Sequence, residues 1–261
     1  MPSYAEAGVS PEDIWHLAYY VRSLQEPARW TSSLTAPYRE GELPADDPAA
    51  WGDIPRADIK LRNAVNEQGE MSHPPTISSI SVQAVRNADA IAFRLIWDDA
   101  TEDRETAPGD ALALALRPAG VLGDVVTLQA WPLKQSPPLD LVVWSAVKGA
   151  QATESVVENY EAALHSSSPP QPASASYDNG RWTLVLTRPL ALEDLPAAAR
   201  FVTDRFNPIA FAIWDGGNDH QRAVSPWLDL ALEPAPGEAH GASPGHVPGF
   251  TGFGPTTSER R

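Results

Sequence analysis

The chain has no cysteine. Disulfides, thiolate metal sites, iron–sulfur clusters and covalently attached c-type haem are therefore excluded within these residues. No stretch reaches the roughly 18 consecutive apolar residues of a membrane-spanning helix. Met1 is followed at once by Pro2, Ser3, Tyr4 and Ala5, not by the basic and then apolar run of an export signal. Positive charge is also in short supply: 19 Lys and Arg stand against 34 Asp and Glu, a formal net charge of −15. A field of that sign repels phosphate backbones, so no nucleic acid partner is expected. Nor does the chain carry a nucleophile elbow, a phosphate-cradling glycine loop or a two-histidine zinc helix. These absences favour binding over catalysis.

Proline, by contrast, is abundant, at 26 of 261 residues. It cannot donate to a helix or sheet ladder, so the chain must be rich in loops and poor in long helices. A hydrophobic content of 43% still supports a sizeable core. Short runs at residues 78–86, 91–97, 111–117, 125–131, 139–147, 182–187, 209–214 and 227–232 predict an all-β fold. Their number and spacing fit an antiparallel β-sandwich with long Pro-rich loops better than a parallel α/β sheet. A short N-terminal helix is expected, capped by Ser10, with Pro11 in its first turn and Ile14, Leu17, Val21 and Leu24 on one stripe. The organisation read from these signals is an N-terminal unit at 1–26, a linker at 27–57, the sandwich at 58–233 and a flexible tail at 234–261. Within the sandwich, 166–176 reads as a Ser/Pro/Ala loop and 190–205 as room for a short helix.

Few residues invite chemistry. Asp98, Asp99, Glu102 and Asp103 could hold calcium, but without glycine-punctuated ligand spacing they read better as a solvated hairpin end. Met71 is one of only two methionines and lies in Gly69-Glu70-Met71-Ser72-His73-Pro74-Pro75. A gap-filling methionine normally has apolar neighbours. A thioether on a polar, proline-stiffened loop suits a soft axial ligand of haem iron instead. The run Ile209–Trp214 enters the turn Asp215-Gly216-Gly217-Asn218 and returns past His220 and Arg222 to Trp227. Its two glycines would suit a turn by tolerating positive φ. On the bland reading it is simply a sandwich hairpin with two core tryptophans.

Five segments of 58–233 together carry a resemblance. They are the Met71-Ser72-His73-Pro74-Pro75 loop, Phe93-Arg94-Leu95-Ile96-Trp97-Asp98-Asp99, Gly109-Asp110-Ala111-Leu112-Ala113-Leu114, Asp178 to Leu190, and Trp214-Asp215-Gly216. In that order the chain resembles the haem b-binding gamma subunits of ethylbenzene dehydrogenase and dimethylsulfide dehydrogenase, within the wider molybdenum DMSO reductase family. The resemblance implies a β-sandwich holding one non-covalent haem b between an axial methionine and an axial lysine. Met71 matches the methionine. The lysine is replaced by Arg222, whose guanidinium offers iron no lone pair. His220, two residues earlier, is the candidate substitute ligand, with an exposed turn histidine as the plain alternative; His73 lies too close to Met71 to reach the opposite haem face easily. Arg188 could pair with a haem propionate. Trp97, Trp214 and Trp227 could line the haem pocket, although ordinary core packing suits them better.

The segment from Met1-Pro2-Ser3-Tyr4 through the following helix resembles the end of a class I c-type cytochrome, with Met1 as an internal residue. The expectation is then a c-type haem domain and export signal upstream. The implied function is periplasmic electron transfer, with a molybdoenzyme, an iron–sulfur subunit or another cytochrome as partner. From a different class, a carbohydrate-binding sandwich without haem would use tryptophans as stacking platforms, and a scaffold that has lost its haem is a third reading.

Overall fold

Two-residue alternation organises the chain. Thirteen strands occur among the described residues: β1 (Ser33–Ala36), β2 (Arg56–Lys60), β3 (Arg62–Asn63), β4 (Ser79–Arg86), β5 (Ala90–Asp98), β6 (Ala111–Leu116), β7 (Leu139–Ser145), β8 (Gln151–Val157), β9 (Gln171–Tyr177), β10 (Arg181–Pro189), β11 (Asn207–Asp215), β12 (Gln221–Val224) and β13 (Leu228–Leu232). The computed structural model describes residues 32–64, 76–105, 109–118, 138–157, 169–196, 198–217 and 221–238. The expected N-terminal helix and the 125–131 strand lie outside them. No helix among the described residues is long and apolar enough to cross a membrane.

The strands form a nearly closed β-sandwich. One layer runs β1-β13-β11-β6-β7-β8, and the other β9-β10-β5-β4-β2. Every named pairing is antiparallel except that of β1 with β13. The layers meet along two seams. On one side β8 touches β9 through Gln151 opposite Pro172 and Ala152 opposite Gln171. On the other, Tyr38 bridges to Arg86 of β4.

Between the layers lie Ile91, Phe93, Leu95 and Trp97 of β5, Leu112, Leu114 and Leu116 of β6, and Ile209, Phe211 and Ile213 of β11. At one end Trp182 stacks on Trp97, with centroids 6.1 Å apart, and takes Trp144 edge-on at 5.2 Å. Fully burying one such ring is worth about 1.5–3 kcal/mol, so this trio anchors its end of the core.

A buried arginine holds each seam. Arg86 donates to the Glu233 carbonyl at 2.7 Å, ion-pairs with Glu238 and lies over the Tyr38 ring. Arg188, on β10, donates through Nε and Nη2 to Glu154 of β8 and through Nη2 to the Ala199 carbonyl. Asp140 of β7 completes that cluster at 3.6 Å from Arg188. Its carboxyl is pushed up to about 8, first by burial and then by the Glu154 carboxylate.

Three readings of the sequence need correction. Residues 27–57 are not simply a linker: β1 joins the first layer and Trp51 is fully buried, its indole donating to the Ala45 carbonyl at 2.8 Å. Residues 166–176 are not simply a loop, because β9 pairs with β10 from Ala173 to Tyr177. Serine and alanine mask that strand, since neither has a strong strand preference, and Pro172 sits where the ladder ends. The described part of 190–205 is irregular, not helical, with Leu192, Leu195 and Ala198 forming a small cluster of their own.

A raised carboxyl binds a proton in the folded state that the unfolded chain releases at its ordinary pKa of 3.8. Its contribution to stability is thus full in acid and is lost as pH rises from 3.8 toward about 8. Asp140→Asn should flatten that decline in urea unfolding. Glu154→Gln should be tolerated, because Asp140 can ionise beside Arg188. The double variant strands the guanidinium and should cost about 3–5 kcal/mol.

Candidate functional site

The sequence Ala111-Leu112-Ala113-Leu114-Ala115-Leu116 puts every leucine into the core and every alanine on the outside of the layer. On β11 the outward positions are Ala210, Ala212 and Trp214. Register sets them side by side: Ala115 faces Ala210, Ala113 faces Ala212, and Ala111 faces Trp214. A four-alanine floor results, bordered by Leu141 and Val143 of β7 and by Val224 of β12. All four alanines are buried although they lie on the outer face. A shallow apolar cleft opens over this floor, with Trp214 and Arg222 at one end. Arg222 is the cross-strand partner of Trp214, and its guanidinium carbon is 5.9 Å from the ring centroid.

The rim of this face is where two of the expected ligand segments attach. β3 pairs with β12, and the Ala64 amide donates to the Arg222 carbonyl at 2.9 Å. Residue 64 leads toward Met71, and residue 221 follows directly on His220. Met71, His73 and His220 themselves lie outside the described residues.

The other expected residues divide between two faces. Trp214 is on the alanine floor, and Trp227 packs against the same outer cluster. Trp97 is in the interlayer core, stacked on Trp182. Arg188 is fully buried, its donors taken by Glu154, Ala199 and Pro189. The structure therefore groups Trp214 with Arg222, and places Trp97 and Arg188 across the layer from them. Sequence reasoning missed the floor, whose signal was the strict Ala-Leu alternation of β6 beside the Ala-Phe-Ala run of β11.

The acidic run also needs correction. Asp98 is exposed, but Asp99 is only 5% exposed and turns inward. Oxygens of Asp99, Asp110 and Asp215 lie within 4.8 Å of one another. Asp110 accepts from the Asp103 amide at 2.8 Å, the Gly216 amide at 2.9 Å and the Trp182 indole at 3.1 Å. Asp99 is pushed up to about 7, first by burial and then by the Asp110 carboxylate. Nor is the glycine turn used as the sequence suggests: neither Gly216 nor Gly217 has positive φ. Close approach is what requires them, since a Cβ on Gly216 would stand 2.5 Å from the Gly109 carbonyl carbon.

No family model matches the chain. A protein of Haloferax mediterranei named as a respiratory nitrate reductase haem subunit, ORF7, is 25% identical over 200 residues, spanning 72% of this chain and 67% of its own length. Among solved structures, a carbohydrate-binding protein from Bacteroides uniformis covers 77% of this chain and 99% of its own at 9% identity, with a TM-score of 0.47. A family 9 carbohydrate-binding module from Caldicellulosiruptor kristjanssonii, in complex with glucose, covers 79% and 98% at 6% identity, with a TM-score of 0.44.

Gly216→Ala should destabilise the protein by about 1–3 kcal/mol in urea unfolding, the usual cost of overpacking. A variant as stable as the parent would contradict the close approach described here.

Proposed function

We propose that this chain is an electron-transfer subunit that holds a non-covalent haem b against the alanine floor of β6 and β11. The observation that carries the reading is the conjunction of that floor with its rim. A planar macrocycle needs a surface from which no side chain projects beyond Cβ, and Ala113, Ala115, Ala210 and Ala212 supply one. The segments bearing Met71 and His220 join the sheet at Ala64 and Gln221, on the edge of the same face, where the Ala64 amide bonds the Arg222 carbonyl. Similarity to a protein named as a haem subunit supports the reading. With no cysteine in these residues, a haem held here would not be attached in the c-type manner.

The haem, when bound, supplies one-electron redox chemistry through its iron. The chain supplies the rest. Met71 and His220 would hold the iron, a neutral imidazole standing in for the lysine of the gamma subunits that the chain resembles. Trp214 walls one end of the floor. Arg222, unable to ligate iron, offers a charge-assisted hydrogen bond to a propionate. Arg188, expected in that role, is instead bonded to Glu154 and the Ala199 carbonyl in the core. Apolar residues around the floor exclude water, which raises the weight of every charge near the haem in setting its potential.

The partner class is a periplasmic molybdoenzyme with its iron–sulfur subunit, or another cytochrome. A sugar-stacking platform is less well supported. Among the described tryptophans Trp51, Trp97, Trp144 and Trp182 are buried and Trp214 and Trp227 half-buried, so none offers an open face.

Haem load and spin state of purified variants test the proposal. Met71→Ala should lower haem content while far-ultraviolet dichroism stays that of a folded sandwich. His220→Ala should give a high-spin spectrum, and His220→Lys should restore a low-spin one. Ala113→Leu raises the floor by a branched side chain and should also reduce haem load. Unchanged load and spectra in Met71→Ala and Ala113→Leu would place the cofactor elsewhere.

A further inference from the structure

We infer that Asp99, Asp110 and Asp215 form a binding site for a hard, oxygen-seeking divalent cation of the calcium class, separate from the alanine floor. Three strand ends converge to build it. Asp99 follows β5, Asp110 precedes β6 and Asp215 ends β11, so no local loop motif announces the site. Four of the five segments that carry the family resemblance meet here, because Trp182 of β10 also contributes its indole N–H to Asp110.

Geometry suits an ion of that size. The three carboxylate oxygens lie within 4.8 Å of one another. Calcium–oxygen bonds of about 2.3–2.6 Å place ligands on opposite sides of the ion roughly 4.6–5.2 Å apart. N–H donors hold the carboxylates. Both oxygens of Asp110 accept N–H donors, and one oxygen of Asp215 accepts from the Gly217 amide at 3.2 Å. Asp110 Oδ2 is saturated by the Asp103 amide and the Trp182 indole, whereas Asp110 Oδ1 and the Asp215 oxygen each accept one amide and keep a lone pair for an ion. Gly216 and Gly217 let the turn close onto Asp103 and Thr101, where any Cβ would collide.

A second observation is independent of the cluster's mere acidity. Oδ2 of Asp99 is buried and has no hydrogen-bond partner among the described residues, while Oδ1 accepts from the Thr101 amide. Asp99 is 5% exposed, so water does not supply the missing partner from bulk. A buried, unpaired carboxylate oxygen among two further carboxylates is costly unless something positive stands before it. Among the described residues no arginine, lysine or histidine pairs with any of the three. The nearby cations are engaged otherwise: Arg181 with exposed Asp98, and Arg104 with Glu102 and over the Trp182 ring. An ion at this point would tie the ends of three strands from both layers, clamping the tryptophan end of the core. The role that follows from this placement is structural.

Calorimetric titration and thermal unfolding of the chelator-treated, full-length protein test the inference. Calcium should bind at one ion per chain and raise the melting temperature with the logarithm of its concentration. Magnesium, which demands a tighter octahedron, should bind more weakly. Asp99→Asn and Asp215→Asn should each abolish the calcium-dependent rise. In the absence of calcium both should melt no lower than the parent, because each removes a repelling charge. Asp98→Asn, one residue away and outside the cluster, should keep the full response. Should either cluster variant fail to fold, elemental analysis of the parent after equilibration with calcium and gel filtration decides the question. Retained calcium near one per chain supports the site, and none contradicts it. The inference is also overturned if millimolar calcium gives neither heat nor a shift in the parent, or if binding survives in both cluster variants.

Discussion

The pairing of β6 between β11 and β7 is the constraint from which the rest of the structure follows. In an antiparallel ladder a one-residue slip would exchange the two faces of a strand completely. On β6 that exchange would drive three leucines outward and set alanines in the core. The hydrophobic cost of such a slip fixes the register, and the register aligns Ala113 with Ala212 and Ala115 with Ala210. The same ladder sets Asp110, just before β6, beside the end of β11, where Asp215 lies. One strand pairing thus determines both the flat outer floor and the position of the acidic cluster.

The seams of the sandwich meet a different demand. A nearly closed two-layer sheet leaves polar backbone and side-chain groups where the layers join, away from bulk water. Arg86 and Arg188 satisfy carbonyls and carboxylates there with several donors each. A guanidinium suits this position because its planar fork serves more than one acceptor at once. The consequence for function is that Arg188 belongs to the scaffold. The arginine that borders the floor is Arg222, the cross-strand partner of Trp214.

Much of the fold was legible because strands such as Ile91 to Trp97 and Ile209 to Trp214 are apolar, β-branched or aromatic, and bounded by turn residues. β9 was not, since Gln171-Pro172-Ala173-Ser174-Ala175-Ser176-Tyr177 has the composition of a loop and is a strand only because β10 offers it a ladder. Burial of Trp51 within the apparent linker was equally hidden, being fixed by contacts with Val85, Ala92 and Val185. The acidic site could not be found by spacing at all. Its carboxylates lie 11 residues and then 105 residues apart in sequence, as the numbers Asp99, Asp110 and Asp215 give directly, and only tertiary pairing unites them. The floor was partly legible: the Ala-Leu alternation was visible, but which neighbour extended it depended on register.

The central claim, that the sandwich carries a non-covalent haem b, is tested most directly by the absorption spectrum of the purified full-length protein, oxidised and dithionite-reduced, followed by acid–acetone extraction. The account predicts a Soret band that sharpens and shifts on reduction, low-spin α and β bands, and all of the haem recovered in the organic phase. A protein with no Soret absorbance, even after reconstitution with haemin, would contradict it.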